Sequence, residues 1–282
     1  MNLQMRRELA NLHSQRHRSH EKKAVRIIHA ALLQQAKIIS KFVNTHGIPT
    51  ALSHLEKLIK PELVRNALMR VWFSVSKDYH KIGMVTKSVH ESYMTQYANS
   101  PAAAAKVTRI DAETRSRVQA ALQEATVKKL HKREAAKLIS GSTGFSKNRS
   151  LLIARTETTM AANMGAYSSA KDNGGNFEKY WIATDDERTR EAHAEVGNKP
   201  IPMDEAFEVG GEKMMFPGDP RASAENVCNC RCIVAFKPVP VIASPEGNDE
   251  GSGGERNDIN STVATAIAAI IDRITAGNEG AN

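Results

Sequence analysis

The sequence predicts an α+β protein with a helical N-terminal region, a compact domain with a long helix and a small antiparallel sheet, and a flexible C-terminal tail. The first observation behind this is a change of hydrophobic period, from three- and four-residue steps before residue 175 to two-residue alternation after it. The second is uneven charge. Residues 1–150 hold 27 Lys and Arg against 10 Asp and Glu, a net charge of +17, and the remainder carries −9.

The length of 282 residues supports a buried core and excludes small stapled scaffolds and wholly disordered chains. Four segments follow from composition: a basic helical region at 1–145, a compact domain at 146–238, a disordered linker at 239–260 and a short amphipathic helix at 261–276. Because an isolated helix of this length is marginal in water, we expect the last segment to fold by docking on a partner or on the body of the chain.

Helices separated by turn signals make up the first segment. An apolar stripe predicts a helix over 21–43, which the Gly-Ile-Pro sequence at 47–49 ends. Pro61 opens a second helix at a first-turn position, and Ser100-Pro101 marks another break. Asp111 is the expected N-cap of a third helix that runs to Val127.

The second segment begins with a long helix and continues with strands. Ser146 starts the helix, and the Asn-Gly-Gly sequence at 173–175 ends it. Alternation predicts a strand over 177–183, a hairpin over 207–216 around Gly210-Gly211, and a last strand over 231–236.

Several short motifs occur in a fixed order in this second segment. They are Ala154-Arg155-Thr156-Glu157, Trp181, the run from Asp185 through Arg188 to His193, Pro217-Gly218-Asp219, and Asn229-Cys230-Arg231-Cys232. The ordered set resembles the phage Mu F-like minor head protein family, also called the head morphogenesis family, over residues 146–238. Seven residues are the expected structural motif positions: Arg155, Glu157, Trp181, Asp185, Arg188, Asp219 and Arg231.

The resemblance implies a structural protein of a phage or prophage head and not an enzyme. Such a protein is made in the host cytoplasm and resides in the procapsid or virion, where it docks near the portal protein and assists head assembly and DNA packaging or delivery. Scaffold and major capsid protein are further expected partners. A metal-dependent nuclease, a toxin-like enzyme and a nonspecific DNA-binding module stay as alternatives.

Cysteine and histidine suggest a metal site in the acidic part. Cys228, Cys230 and Cys232 would present three sulfurs on one face of a strand, and His193 is the sole histidine after residue 150. Three thiolates and an imidazole form a plausible zinc set, which the resemblance supports at His193, Cys230 and Cys232. The alternative is a group of reduced core cysteines with a locally paired histidine.

The three cysteines cannot all pair with one another, and they lie too close together in the sequence for a disulfide framework. We therefore expect the thiols to be kept reduced, in a reducing compartment. The N-terminus goes directly into charged helical sequence without the apolar core of an export signal, and no apolar stretch is long enough to span a membrane.

Acidic residues beside cations and an imidazole also allow a hydrolase interpretation. Asp185, Glu187 and His193 would supply general acid and base groups if they folded around a cleft. The competing interpretation is a turn after a strand, in which Asp185 accepts backbone hydrogen bonds and Arg188 pairs with a carboxylate. A buried Arg155 would then tie the long helix to Asp185 or Asp219.

The basic half favours contact with phosphates or with an acidic portal surface. Its expected contact residues, among which His13, His17 and His20 are interleaved, are Arg6, Arg7, Arg16, Arg18, Lys22, Lys23, Arg26, Lys128, Lys129, Lys132 and Arg133. Few aromatic residues accompany them, so we expect salt-sensitive binding of double-stranded DNA without sequence preference, or of an acidic protein surface. A merely solvated helical face is the other interpretation.

Overall fold

The computed structural model describes residues 3–80, 87–174, 176–184, 186–197 and 199–239, with side chains in the first helix described from His13 onward. Its helical body and small antiparallel sheet confirm the predicted α+β class. Apart from Val239, the predicted linker at 239–260 lies outside the described residues, and so does the predicted helix at 261–276.

Helices dominate the first 172 residues. They are α1 (Leu3–His46), α2 (Ile48–Ser53), α3 (Leu55–Leu58), α4 (Pro61–His80), α5 (Lys87–Ala98), α6 (Pro101–Val127), α7 (Lys132–Ser140) and α8 (Lys147–Asp172), with a 3-10 turn at Thr143–Phe145. The later elements are β1 (Phe177–Ile182), α9 (Glu191–Glu195), β2 (Ile201–Pro202), β3 (Phe207–Val209), β4 (Glu212–Met214), α10 (Ala224–Val227) and β5 (Ile233–Pro238).

Helix α1 is longer than predicted and buries the predicted stripe. Ile28, Leu32 and Ile39 are almost fully buried, and they recur at helical spacing on the side that faces α4, α7 and α8. The helix ends at His46, before Gly47, whose φ of 84° suits glycine. The predicted break at 47–49 is therefore confirmed.

The prediction that Asp111 caps a helix is wrong. Helix α6 begins eleven residues earlier, because Pro101 occupies its first turn and the Ser100 side chain accepts a hydrogen bond from the Ala103 N–H. Asp111 lies inside α6 and is buried, and this burial raises the pKa of its carboxyl to about 6.

Helix α8 is the central element of the described body. Ser146 caps its first turn as predicted, and it packs on both α1 and α4. Its buried positions are unusually rich in small and polar residues, including Thr159, Asn163 and Gly165. At Gly165 the backbone of α4 comes so close that an added Cβ would lie 2.5 Å from the carbonyl oxygen of Ser76. Only glycine fits at this helix crossing.

A three-stranded antiparallel sheet with order β2-β1-β5 covers α8, and β3 and β4 form a separate hairpin. Trp181 of β1 pairs with Val234 of β5. The hairpin turns at Gly210 and Gly211, both with positive φ, as the sequence predicts.

The helices on both sides of residue 145 share one hydrophobic core. The described residues up to Pro238 form one compact unit. The boundary predicted between 145 and 146 therefore does not separate two folding units, because α1 and α4 pack directly on α8. Among the described residues, none of the helices is long and apolar enough to cross a bilayer.

Candidate metal centre

The cysteine segment makes a tight turn between α10 and β5. Cys228 follows the last residue of α10, and Asn229 adopts a left-handed conformation with φ of 59°. The turn leaves Cys228 partly exposed and sends Cys230 and Cys232 into the core. Since β5 begins only at Ile233, the three cysteines do not alternate along a strand as predicted.

Two of the cysteines meet His193 in a buried group. The Nδ1 atom of His193 lies 3.4 Å from Sγ of Cys232 and 3.7 Å from Sγ of Cys230. All three side chains are at most 3% exposed. A tetrahedral zinc ion with bonds of about 2.3 Å to sulfur and about 2.0 Å to nitrogen separates such ligands by roughly 3.5 Å. The donor types and spacings of these residues therefore fit zinc.

Cys228 does not belong to this group. Among the described residues, the donor atoms that lie within 4.8 Å of one another are those of His193, Cys230 and Cys232. The predicted four-residue set is thus reduced to three, because the Asn229 turn breaks the alternation. Three protein ligands leave one position of a tetrahedral ion open.

The interaction between the two buried thiol groups shifts their pKa values in opposite directions. Cys230 donates to Cys232, and together with the neighbouring His193 this lowers the pKa of the Cys232 thiol. The same bond and burial raise the pKa of Cys230. The pair therefore favours one thiolate, which is the form in which cysteine binds a metal.

Polar side chains of α8 hold the cysteine segment in place. Thr159 donates to the Cys230 carbonyl at 2.7 Å, and Thr156 accepts from the Asn229 N–H at 2.9 Å. Asn163 donates to the carbonyls of Cys232 and Pro217 and accepts from the N–H of Val234. One buried amide thus joins the long helix, the Pro-Gly-Asp turn and the last strand.

Trp181 and α9 orient the histidine. The ring of Trp181 meets the ring of His193 edge-on at 5.4 Å, and it packs on Phe207 from another side. The Arg190 side chain, just before α9, donates to the Cys228 carbonyl at 2.5 Å. Trp181, a predicted motif position, therefore packs against one side of this buried group.

In the acidic run after β1, Asp186 pairs with arginine side chains. Asp186 accepts hydrogen bonds from the Arg231 guanidinium and from the Arg188 N–H, and the Arg231 bond is the main reason that the pKa of Asp186 falls well below its usual range. Arg188 also lies 3.7 Å from the same carboxylate. Asp185 lies outside the described residues. Glu187 is exposed while His193 faces the thiols, so these described groups do not form the hydrolase arrangement.

Arg155 ties α8 to other partners than predicted. Its guanidinium pairs with Glu21 of α1 at 2.9 Å and donates to Asn229 at 2.9 Å. Asp219, one of its two predicted partners, instead accepts from the Met215 N–H and pairs with Arg221. The Asp219 alternative is wrong because this carboxylate is occupied within its own turn. Arg155 links α1 to the cysteine segment.

Glu157 lies at the centre of a buried polar network. Its carboxylate accepts from Lys106 of α6 at 2.9 Å and from the indole N–H of Trp72 of α4 at 2.7 Å. Glu157 and Lys106 are both about 5% exposed. The motif residue therefore joins three helices. Lys106 was missed because a lone lysine among alanines carries no sequence signal.

A comparison with known protein families finds one match in this sequence. The family described as "Phage Mu protein F like protein" matches residues 112–235, which include α8, the sheet and the cysteine segment. The resemblance to the Phage Mu F-like family is therefore confirmed over this segment. The matched region of this family begins inside α6, ahead of the boundary predicted at 146.

Three curated relatives align with parts of the chain. The minor head protein GP7 of Bacillus phage SPP1 is 35% identical over 88 residues, 30% of this chain and 28% of that protein. The NAD(+)–arginine ADP-ribosyltransferase EFV of Enterococcus faecalis is 27% identical over 217 residues, 73% of this chain and 44% of that protein. YqbB of Bacillus subtilis, an uncharacterized protein, is 28% identical over 116 residues, 38% of this chain and 37% of that protein.

The chain spans less than half of the length of each of these relatives. No solved structure gives a significant match.

Eight of the predicted basic contact residues fall into two exposed groups. Lys128, Lys129, Lys132 and Arg133 are exposed near the α6–α7 turn, and Lys128 pairs with Glu124 at 2.6 Å. The other group, on α1, consists of Arg18, Lys22, Lys23 and Arg26. The side chains of Arg6 and Arg7 lie outside the described part.

Arg16 and the interleaved histidines face inward. Arg16 donates to the Asp78 carbonyl at 2.8 Å and lies over the ring of Tyr79. His17 hydrogen-bonds to Thr159, and burial lowers its pKa to about 4. These residues anchor α1 to α4 and α8, so Arg16 is not an exposed phosphate contact as predicted.

Proposed function

We propose that the chain is a minor head protein of a tailed phage or prophage. It would act as a structural component of the procapsid or virion, docking near the portal and assisting head assembly and DNA packaging or delivery. The observation that carries the proposal is the family match over residues 112–235, which the similarity to a phage minor head protein supports. The motif residues Arg155 and Glu157 join elements of this fold, as does Asn163, and each of the three connects three parts of it.

A structural role suits the way in which the polar groups are used. Asp186 is paired with arginine, Glu157 with lysine, and His193 with two thiols, all inside contacts that hold elements together. The ADP-ribosyltransferase-named relative has more than half of its own length outside the aligned part. We therefore propose no catalytic reaction for this chain.

Particle composition tests this function. Procapsids and mature heads of the source phage or induced prophage would be purified and the chain quantified by mass spectrometry, with its position found by labelling and electron microscopy. We expect a few copies at the portal vertex. Absence from every particle form would refute the proposal.

We further propose that His193, Cys230 and Cys232 bind a structural zinc ion. The buried donor set and the ligand spacings support this, as does the bonding of the cysteine segment to α8. Bound zinc would hold α9 against the turn that precedes β5, and it would need no catalytic role.

Zinc content gives a direct prediction. Chain purified without chelator is expected to contain about one zinc ion per molecule, because two thiolates and an imidazole are typical zinc ligands. Cys232→Ser should remove most of that zinc, whereas Cys228→Ser should retain it as the matched control. Elemental analysis measures both. Metal-free wild-type chain whose thermal midpoint is unchanged by a chelator would contradict the site.

The exposed cations of α1 are proposed to contact DNA phosphates. If Arg18, Lys22, Lys23 and Arg26 neutralise about four phosphates, log K for duplex DNA should fall with log salt with a slope of roughly −3.6. Lys22→Ala with Lys23→Ala should reduce the slope by about 2. Lys171→Ala with Lys213→Ala, two exposed lysines outside these groups, is the control for fluorescence anisotropy. Affinity that stays flat from low to high salt would exclude phosphate contact.

A further inference from the structure

Helix α1 docks on the body of the protein through two different kinds of side chain. From Ala24 to the end of the helix its buried residues are apolar, with Gln35 as the exception. Between residue 13 and Ala24 the buried positions are His17 and His20, and His13 lies one turn before His17 on the same face. We call these three histidines the α1 histidine cluster.

The cluster makes the contacts that hold this end of α1 in place. The ring of Tyr79, on α4, lies 5.0 Å from that of His13 and 5.9 Å from that of His20. His17 stacks on His13 at 5.6 Å and hydrogen-bonds to Thr159 of α8 at 3.1 Å. Serine, glutamine and arginine occupy the positions between the three histidines, so no apolar residue there contributes to the docking.

Fixed positive charges surround the cluster. Arg16 lies over the ring of Tyr79, 5.4 Å from its centre. Further cations near the histidines are Lys23 on α1 and Arg155 on α8. Because like charges repel, these cations disfavour a protonated imidazole. Tyr79 stays neutral, since burial raises the pKa of its hydroxyl.

Two carboxylates approach the cluster within 4 Å in the described part of the chain. An oxygen of Glu21 lies 3.9 Å from Nδ1 of His17, and an oxygen of Asp78 lies 3.4 Å from Nε2 of His20. Both oxygens of Glu21 already accept hydrogen bonds from Arg155. Three protonated histidines and the three fixed cations would therefore face only these two negative charges.

The hydrogen bond of His17 identifies the form of its ring. Thr159 donates its single hydroxyl hydrogen to the Cys230 carbonyl, so it can only accept a hydrogen bond from His17. Nε2 of His17 therefore carries the hydrogen, and Nδ1, on the side of Glu21, is the basic site. Burial lowers the pKa of this ring to about 4 and also lowers that of His20. Both rings are neutral at pH 7 when the helix is docked.

We infer that the α1 histidine cluster is an acid-sensitive latch. As the pH falls below about 6.5, the imidazoles gain protons and residues 13–21 leave the surface of α4 and α8, while the apolar part of the helix from Ala24 onward stays docked. The release separates Glu21 from Arg155 and His17 from Thr159, so the contacts that join α1 to the cysteine segment open with it.

The direction of the effect follows from the pKa of each ring in the two states. A released, hydrated imidazole has its ordinary pKa of about 6.5, whereas burial holds that of docked His17 at about 4. Docking is therefore strongest above pH 6.5 and weakens as the pH falls from there toward 4. Each pH unit in this range lowers the docking equilibrium constant by about tenfold for each ring that gains a proton on release.

Hydrogen exchange of the full chain, followed by mass spectrometry, tests the latch. Protection of residues 13–21, corrected for the intrinsic exchange rate, should fall by about 20-fold or more between pH 7 and pH 5, because His17 alone contributes about that factor. Protection of residues 24–43, which apolar contacts hold, should change by less than about threefold over the same range.

Glutamine substitutions remove the titrating rings and keep an N–H donor. His17→Gln is expected to reduce the pH effect on residues 13–21 by about 20-fold, because the amide can still donate to Thr159 but cannot gain a proton. Adding His20→Gln should reduce the effect further. His46→Gln with His54→Gln, at two exposed histidines of the helical region, is the matched control and should retain the wild-type pH effect.

The variants also separate the latch from another group that titrates in this range. Burial raises the pKa of the Asp111 carboxyl to about 6, so this group favours the folded protein at low pH and acts in the opposite direction. Asp111 is unchanged in all the variants, and its contribution therefore cancels when they are compared with the wild type.

Three outcomes would overturn the inference. They are equal protection of residues 13–21 at pH 7 and pH 5, an equal loss of protection in residues 24–43, and a variant with both His17→Gln and His20→Gln whose pH dependence matches the wild type. The first two need no variant, so they decide the matter even where a substitution prevents docking at pH 7.

Discussion

Glu157→Ala is expected to lower the free energy of unfolding by about 3–5 kcal/mol, as removal of one partner from a buried ion pair does in other proteins. The substitution leaves the Lys106 ammonium buried without its carboxylate and the Trp72 indole N–H without its acceptor. Urea denaturation followed by circular dichroism measures the change.

The control is Glu113→Ala. Glu113 pairs with Arg117 at 2.6 Å on the exposed side of α6, so its loss should cost less than about 1 kcal/mol. A double variant, Glu157→Leu with Lys106→Met, should regain most of the lost stability because it removes both charges together. Equal losses for Glu157→Ala and Glu113→Ala would show that the network is not buried as described.

Gly165→Ala is expected to have a comparable effect for a steric reason. The added Cβ would lie 2.5 Å from the Ser76 carbonyl oxygen and 2.9 Å from the Ser76 Cα, both backbone atoms that cannot rotate away. Helices α4 and α8 would have to separate, and because the clash is with backbone we expect a cost near the upper end of the roughly 1–3 kcal/mol typical of overpacking. The midpoint of urea denaturation should be lower for this variant than for the wild type.

Gly141→Ala is the matched substitution at a site that has room. Gly141 has a negative φ, and a Cβ there would lie 3.6 Å from the nearest carbonyl oxygen, an ordinary contact. It should be neutral or slightly stabilising. If Gly165→Ala were tolerated equally well, the close helix crossing would be disproved.

Local signals predicted the elements well. The break at Ser100-Pro101, the helix start at Ser146, the helix end at Gly47 and the hairpin at Gly210-Gly211 each depend on a few adjacent residues, so the sequence predicts them. Asp111 failed because a residue with high N-cap preference also occurs inside a helix when its carboxyl is buried.

The long-range partners of charged side chains could not be predicted from the sequence. The partners of Arg155 and Glu157 are Glu21 and Lys106, which lie 134 and 51 positions away and carry no local pattern. The grouping of His193, Cys230 and Cys232 could be predicted because few residue types bind zinc, whereas Cys228 lies outside this group because the three cysteines do not alternate along a strand. The inward direction of Arg16 and of its neighbouring histidines depends on the packing of α1 against Tyr79, which charge counting does not detect.

The position of α1 has a consequence for how this protein can be exchanged between genomes. The segment that the family match covers starts at residue 112, yet α8 within it is packed along its length by α1 and α4. A recombination event that transferred only the recognisable segment would leave Ala154, Met160 and Ala161 with part of their covering missing. A segment transferred with its buried side chains still covered would therefore have to include α1 and α4.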